Sequence, residues 1–220
     1  MPARKLRLLP RHQQARLTWA QAHHRWALRQ WNCVIFSDES RFLLEHHDGR
    51  MRVYRRQHER FHPQCISKAS NRRGVMVWGA VSATGRSQLV SIRGNLTAQR
   101  YITDVLQPHL VPFLQQQNGP VIFQQDRAGI TQAFLQHHNV HVMNPWPAHS
   151  PDLNVIKHVW SRIGLEVKKM HPPPTTLVQL EQNLITAWNN IPQADIARLV
   201  HSMRRICAAV IDANGGNTRY

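Results

Sequence analysis

Two carboxylates follow apolar runs in matching fashion: Asp38 closes CVIFSD and Asp126 closes PVIFQQD. In α/β sheets ligands collect beyond the carboxyl ends of strands, so neighbouring strands would deliver both aspartates to one place. Carboxylates held together repel unless a hard cation lies between them. Mg²⁺ or Mn²⁺ suits an all-oxygen site of this kind. A pair of such cations supports cleavage or transfer at a phosphodiester. One activates the attacking water or 3′-hydroxyl, and the other stabilises the leaving oxygen. Aspartates at these positions also make ordinary turns and caps, and the pattern alone leaves both readings open.

The charge balance favours a polyanionic partner. Among 220 residues, 28 Lys and Arg stand against 12 Asp and Glu, for a formal net charge of +16. Such a surface repels itself and attracts phosphate backbones. The basic residues are spread along the chain, so no single tail accounts for them. Cys33, Cys65 and Cys207 are far apart with no Cys-x-x-Cys, which argues against a disulfide scaffold and a zinc ribbon. The 15 histidines include three adjacent pairs, none at a zinc-ligand spacing. No apolar run approaches the ~20 residues that span a bilayer, and no signal peptide opens the chain. No membrane association is expected, and the nucleus or cytoplasm is the expected location.

The elements that must position the aspartates follow from periodicity. Residues 15–29 have helical spacing, and residues 31–36 read as a strand that ends at the polar SDES. Residues 41–44 and 51–54 are short strand candidates, with Asp48-Gly49 between them as a hairpin turn. Residues 74–81 (GVMVWGAV) are the strongest buried strand, and 88–92 return after a Thr84-Gly85 turn. Residues 97–114 read as a helix capped by Thr97, with Pro108 and Pro112 against its regularity. A strand at 120–123, a helix at 131–138 and a strand at 140–143 follow. Asp152 is placed to cap a helix reaching Lys169, and His171-Pro172-Pro173-Pro174 breaks it. Residues 176–190 and 194–211 are two further amphipathic helices, and the tail from Asn214 is expected to fray. Early strands followed by alternation imply an α/β fold, a mixed sheet with helices on its faces.

With these motifs in place the sequence resembles the Tc1/mariner transposase family. The resemblance rests on FSDESRF at 36–42, GVMVWGAVSATG at 74–85, FQQD at 123–126 and WPAHSPDLN at 146–154. It implies an RNase H-like mixed sheet with helices on both faces and extra C-terminal helices. It implies double-stranded DNA as partner, cleavage and strand transfer as chemistry, and a possible homodimer. It also implies Mg²⁺ or Mn²⁺ held by three acidic residues, the first matching Asp38 and the second Asp126. The corresponding divisions are a basic segment and linker remnant at 1–30, the catalytic domain at 31–170 and a helical extension at 171–220.

The chain departs from the family pattern in three ways. The third carboxylate is normally a Glu in a context like SPDLNPIEHxW; here the stretch is SPDLNVIKHVW, with Lys157 at that position. The change is two charge units. An ammonium has donors only and cannot ligate a metal, although it can occupy a cation's place. Asp152 lies about 140° around a helix from Lys157, and Glu166 about 13 Å further along it, so neither substitutes. Beside Asp126 the family's Asn and His are missing, and Arg127 brings a positive charge to contact phosphate or weaken a metal. Arg162 is a second candidate DNA contact. Finally, the residues before the first strand do not accommodate paired helix-turn-helix modules, so recognition of specific transposon ends is expected to be lost. The expected function is thus transposition chemistry by descent with impaired activity. The alternatives are a non-catalytic nucleic-acid-binding domain and an inactive remnant.

Overall fold

β1 (Val34–Leu43) is the axis on which the domain is assembled. In the computed structural model, which describes residues 7–44, 73–117, 119–125 and 130–219, β1 pairs antiparallel with β2 (Gly74–Val81) from Phe36↔Val81 to Leu43↔Gly74. On its other side it pairs parallel with β4 (Ile122–Gln124) from Val34↔Ile122 to Phe36↔Gln124. β3 (Val90–Ile92) extends the antiparallel side and β5 (His141–Val142) the parallel side, giving the order β3-β2-β1-β4-β5. This is the mixed sheet that the order of elements implied. Asp126, Arg127, the Asp48-Gly49 turn and the strand candidate at 51–54 lie outside the described residues.

Alternation along β1 and β2 feeds two cores. Val34 and Phe36 face one side with Val75, Val77 and Val81, while Ile35 faces the other with Trp78 and Ala80. The first core is covered by α1 (Pro10–His23), α6 (Ile156–Lys169), α7 (Leu177–Asn190), α8 (Gln193–His201) and α9 (Met203–Asp212). The second lies under a helical stretch and α5 (Ile130–His137). That stretch runs through α3 (Ala98–Arg100), a π-helical section (Tyr101–Leu110) and α4 (Val111–Gln115). Thr97 caps it as expected, its hydroxyl accepting from Arg100 N–H at 3.2 Å. Pro108 sits within the π-helical section, where its missing N–H removes one hydrogen bond without ending the helix.

Several expectations are corrected. The strand does not stop at SDES: β1 runs through it, because β2 supplies a partner for every residue from Phe36 to Leu43. Its start moves to Val34, since Trp31 belongs to the short helix α2 (Leu28–Asn32). The helix expected at 15–29 begins earlier, with Pro10 at its first position, and ends at His23, where the ring stacks among Trp19, Trp26 and Trp31. The helix expected at 194–211 is two helices. Between them Ser202 turns its N–H to the Arg198 and Leu199 carbonyls and its hydroxyl to Leu199.

The last correction joins the chain's two ends. Asp152 does not cap α6; it lies in a 3₁₀ turn, Pro151–Leu153, and binds Arg16 of α1. Both guanidinium Nη atoms donate to its two oxygens, at 2.7 and 2.6 Å, and both residues are buried. Thr218 Oγ1 donates to Asp152 at 2.7 Å, and Arg16 also donates to the carbonyls of Gly215 and Gly216. The tail expected to fray is therefore pinned. Gly215 is left-handed (φ 76) and lies so close to α1 that a Cβ would stand 2.0 Å from the Gln13 carbonyl oxygen, so only glycine fits.

This clasp sets a stability prediction. Burial alone would raise the Asp152 pKa, but hydrogen bonds from Arg16 and Thr218 and the Arg16 charge outweigh it and hold it below the ordinary 3.8. A depressed carboxylate contributes stability that is complete above its unfolded value and is lost as pH falls through its folded one. The contribution should therefore be flat above about pH 5 and fade below about pH 4. Asp152→Asn or Arg16→Met leaves a buried charge or donor set unmatched, and each should cost about 3–5 kcal/mol in urea unfolding at pH 7. A loss under about 1 kcal/mol would show the clasp to be incidental.

Candidate active site

Asp38 lies on the α6 face of β1, in line with Val34 and Phe36, just beyond the last residue paired to β4. Its side chain is only 8% exposed. Three strand and loop segments are stitched together beside it. Ser37 N–H donates to Gln124 Oε1 at 3.4 Å, and Ser37 Oγ donates to the Gln124 carbonyl at 2.9 Å, fixing the SDES segment to the end of β4. Asn154 Nδ2 donates to the Ser37 carbonyl at 3.1 Å, while its Oδ1 accepts from Ile156 N–H at 3.4 Å. One buried amide thus ties the first turn of α6 to β1, and performs part of the capping assigned to Asp152 from sequence.

That arrangement brings α6 over Asp38 with Lys157 and Trp160 on the facing side. Lys157 Nζ stands 2.6 Å from Asp38 Oδ2, and Trp160 Nε1 donates to the same oxygen at 2.9 Å. The distance is that of a short charge-assisted hydrogen bond. The carboxylate is largely withdrawn from water, while the ammonium remains 38% exposed at the mouth. Lys157 therefore delivers a cation directly onto Asp38. It occupies the place of a positive charge without offering a lone pair.

Gly79 makes room for this contact. It is the antiparallel partner of Asp38, so the two positions project from the same face. Above it Trp160 stacks on Trp188, with ring centroids 5.3 Å apart at 26°. A Cβ on Gly79 would stand 2.7 Å from Trp188 Cη2 and 3.0 Å from Trp160 Cη2. Trp188 is held in turn by donating to the Ser87 carbonyl at 2.9 Å. A glycine inside a strong strand pattern is a sequence sign of close approach. The three-residue spacing of Lys157 and Trp160 on one helix face was a further available sign. The bonds from Ser37, Gln124 and Asn154 had none, because they depend on tertiary placement.

The other residues singled out from sequence fall elsewhere. Arg162 lies five residues on from Lys157, on another face of α6, and is bound to Asp195 of α8, which also takes Arg198. Hydrogen bonds from these two arginines hold the Asp195 pKa below the usual carboxylate range. Glu166 is exposed and pairs with Lys169. Asp152 belongs to the clasp, so neither acid approaches Asp38. Trp146 packs edge-on against Trp19 with centroids 5.2 Å apart, and Trp78 is fully buried with its N–H on Tyr101. Among the described residues, no group of three or more His, Cys, Asp or Glu could hold a metal ion. None of their helices is long and apolar enough to cross a membrane.

A five-stranded mixed sheet with a nearly enclosed aspartate on its central strand and a helix laid across it is the architecture of an RNase H-like domain. Residues 33–178 match the family model of the DDE superfamily endonucleases. The chain is 34% identical to the transposable element Tc1 transposase of Caenorhabditis elegans, over 100% of its own length and 82% of that protein. It is 33% identical to the Tcb1 transposase of Caenorhabditis briggsae over the same shares. The chain belongs to the DDE superfamily endonucleases, within the Tc1/mariner transposases, and its function by descent is DNA transposition. In fold it is similar to the Mos1 transposase catalytic domain solved with Raltegravir and Mn, at TM-score 0.72 and 16% identity over 97% of this chain and 100% of that one. A Mos1 paired-end complex with the left transposon end gives TM-score 0.78 at 14% identity, over 100% of this chain and 67% of that one.

The packing above Gly79 is testable. Gly79→Ala should cost about 1–3 kcal/mol by overpacking. It should also shift the tryptophan emission as the Trp160–Trp188 stack is pushed apart. An unchanged urea midpoint and spectrum would refute the close approach.

Proposed function

We propose that this chain is a DNA-binding domain of transposase descent whose metal-dependent phosphodiester cleavage is impaired. The observation that carries this reading is the 2.6 Å contact between Lys157 Nζ and Asp38 Oδ2. Mos1 structures are described with Mn and with Mg, and in this chain Asp38 and Asp126 are the residues we assign to such a cation. The described part of the site does not fit one. A hard divalent cation requires acceptor oxygens at close range. Here Asp38 Oδ2 is engaged by an ammonium and an indole N–H, and the third position supplies N–H donors. A cation entering the site must displace Lys157 or tolerate its charge, and no cleavage step is assigned through it.

DNA affinity does not depend on that site. It draws on the +16 net charge, by release of counterions from the duplex. Mos1 is described in paired-end complexes and in a strand transfer complex. On that likeness we assign double-stranded DNA as the partner here, a pair of chains as the working assembly, and the nucleus as the place of action.

The test combines Mn²⁺ titration by calorimetry with a nicking assay on supercoiled DNA in Mg²⁺ or Mn²⁺. The wild-type chain should retain DNA at low salt, bind Mn²⁺ weakly and leave the plasmid closed. Lys157→Glu should strengthen Mn²⁺ binding at least about tenfold, the equivalent of 1.4 kcal/mol. Wild-type nicking that disappears in Asp38→Ala would overturn the impairment. Failure of Lys157→Glu to gain Mn²⁺ affinity would move the lesion away from Lys157.

A further inference from the structure

We propose that a basic surface on α6, α8 and α9, separate from the Asp38 site, is where this domain grips the phosphate backbone of duplex DNA. Two clefts adjoin there. One, of about 400 Å³, lies between α6 and the α8–α9 pair and is lined by His158, Arg162, Arg198 and Arg205. The other, of about 460 Å³, is lined by His201, Arg204 and again Arg205. Arg205 lines both clefts, the second of which is also bordered by His24 and Leu28, so the two meet at that side chain and we treat them as one track.

The chemistry of the track is one-sided. Asp195 is the one acid lining either cleft. It is only 16% exposed and is engaged on both oxygens, Oδ2 by Arg162 and Oδ1 by Arg198. Each guanidinium has five N–H donors in a fixed fork. Each meets Asp195 through a single terminal nitrogen, and the two arginine side chains are 45% and 78% exposed. Asp195 therefore acts as a bracket: it sets the two forks in place and leaves donors directed at solvent. Arg204 and Arg205 are exposed and form no ion pair among the described residues.

These groups are brought together from three helices. Arg198 and Arg205 line the first cleft from either side of the break at Ser202, and His158 and Arg162 recur at four along α6. Planar guanidiniums suit phosphate oxygens better than lysines would. The track shares α6 with the candidate site: Lys157 and Trp160 face Asp38, while His158 and Arg162 line the cleft. A duplex held in the track would thus lie alongside the helix that borders Asp38.

This inference rests on the DNA-binding reading above, and one experiment separates the two. Anisotropy of a labelled duplex is followed over a NaCl series with the full chain, with Arg204→Gln/Arg205→Gln and with Lys168→Gln/Lys169→Gln. The last pair removes the same charge from the end of α6, outside both clefts. Arg204 and Arg205 are exposed, and thermal unfolding checks that the variants fold alike. Each lost phosphate contact should reduce the salt slope by about 0.9. The arginine pair should therefore lower the slope by nearly two and weaken binding at least tenfold in moderate salt, with the lysine pair near wild type. Equal losses in both variants would overturn the track in favour of diffuse attraction. An unchanged arginine variant beside a DNA-binding wild type would place the grip elsewhere and leave the DNA-binding reading standing. A wild type that does not retain DNA at low salt would overturn both. An RNA duplex bound more tightly than DNA of equal length would overturn the choice of occupant.

Discussion

The contact between Lys157 and Asp38 decides what the rest of the domain can do. Asp38 is nearly enclosed: β2 and β4 flank its strand, α6 lies across it, and 8% of its side chain reaches water. A carboxylate in that position incurs several kcal/mol of desolvation unless an opposite charge offsets it. The family resemblance implies a divalent cation for this purpose, which must be captured from solution. Lys157 supplies the charge from the chain itself, on a helix fixed by Asn154. The compensation is intramolecular and independent of cation concentration, so the packing around Asp38 is sustained without metal. A cation seeking the site faces a competitor already tethered there at high effective concentration.

Compensating a charge and catalysing a transfer are different demands. An ammonium satisfies the first through Coulomb attraction and a hydrogen bond. It cannot polarise a phosphoryl oxygen as a Lewis acid or lower the pKa of a coordinated water, which is what a catalytic metal supplies. The surroundings are consistent with this division. Trp160 donates to the same carboxylate oxygen, the Trp160–Trp188 stack closes one flank, and Gly79 leaves the room that the stack requires. These contacts fix Asp38 in place whichever cation meets it.

Legibility from sequence followed the range of the interactions. β2 was readable to the residue because a continuous apolar run between turns has few alternatives. Asp38 and Lys157 are singled out by motif context, and the structure sets them 2.6 Å apart. The course of β1 through SDES was not, since a polar run looks like a turn until a partner strand is known to accompany it. The second break, at Ser202, is set by one hydroxyl and its local hydrogen bonds, beneath the resolution of periodicity. The pinned tail was least readable. Asn-Gly-Gly has the composition of a frayed end, and only the buried guanidinium of Arg16, about 200 residues away in sequence, makes its carbonyls necessary. Of the two carboxylates with which the sequence argument began, Asp38 meets Lys157 as its altered motif implied an ammonium could, and Asp126 lies outside the described residues.

Six acids among the described residues are used as brackets. Asp152 binds Arg16, Asp195 binds Arg162 and Arg198, Asp104 binds Arg100, Glu166 binds Lys169, Glu181 meets Arg93, and Asp38 holds Lys157. Each positions a cation more than it cancels the total, because 28 basic side chains stand against 12 acidic ones. Among the described residues, Arg204 and Arg205 are examples of the excess that faces water. Attraction to a polyanion is a sum over many such charges and degrades gradually as they are removed. Phosphodiester transfer depends on a few oxygens at one point and fails when one of them is replaced by a donor. On the proposed reading, the chemistry would be lost through Lys157 at Asp38 while the basic clefts of α6, α8 and α9, on another face, would still hold duplex DNA.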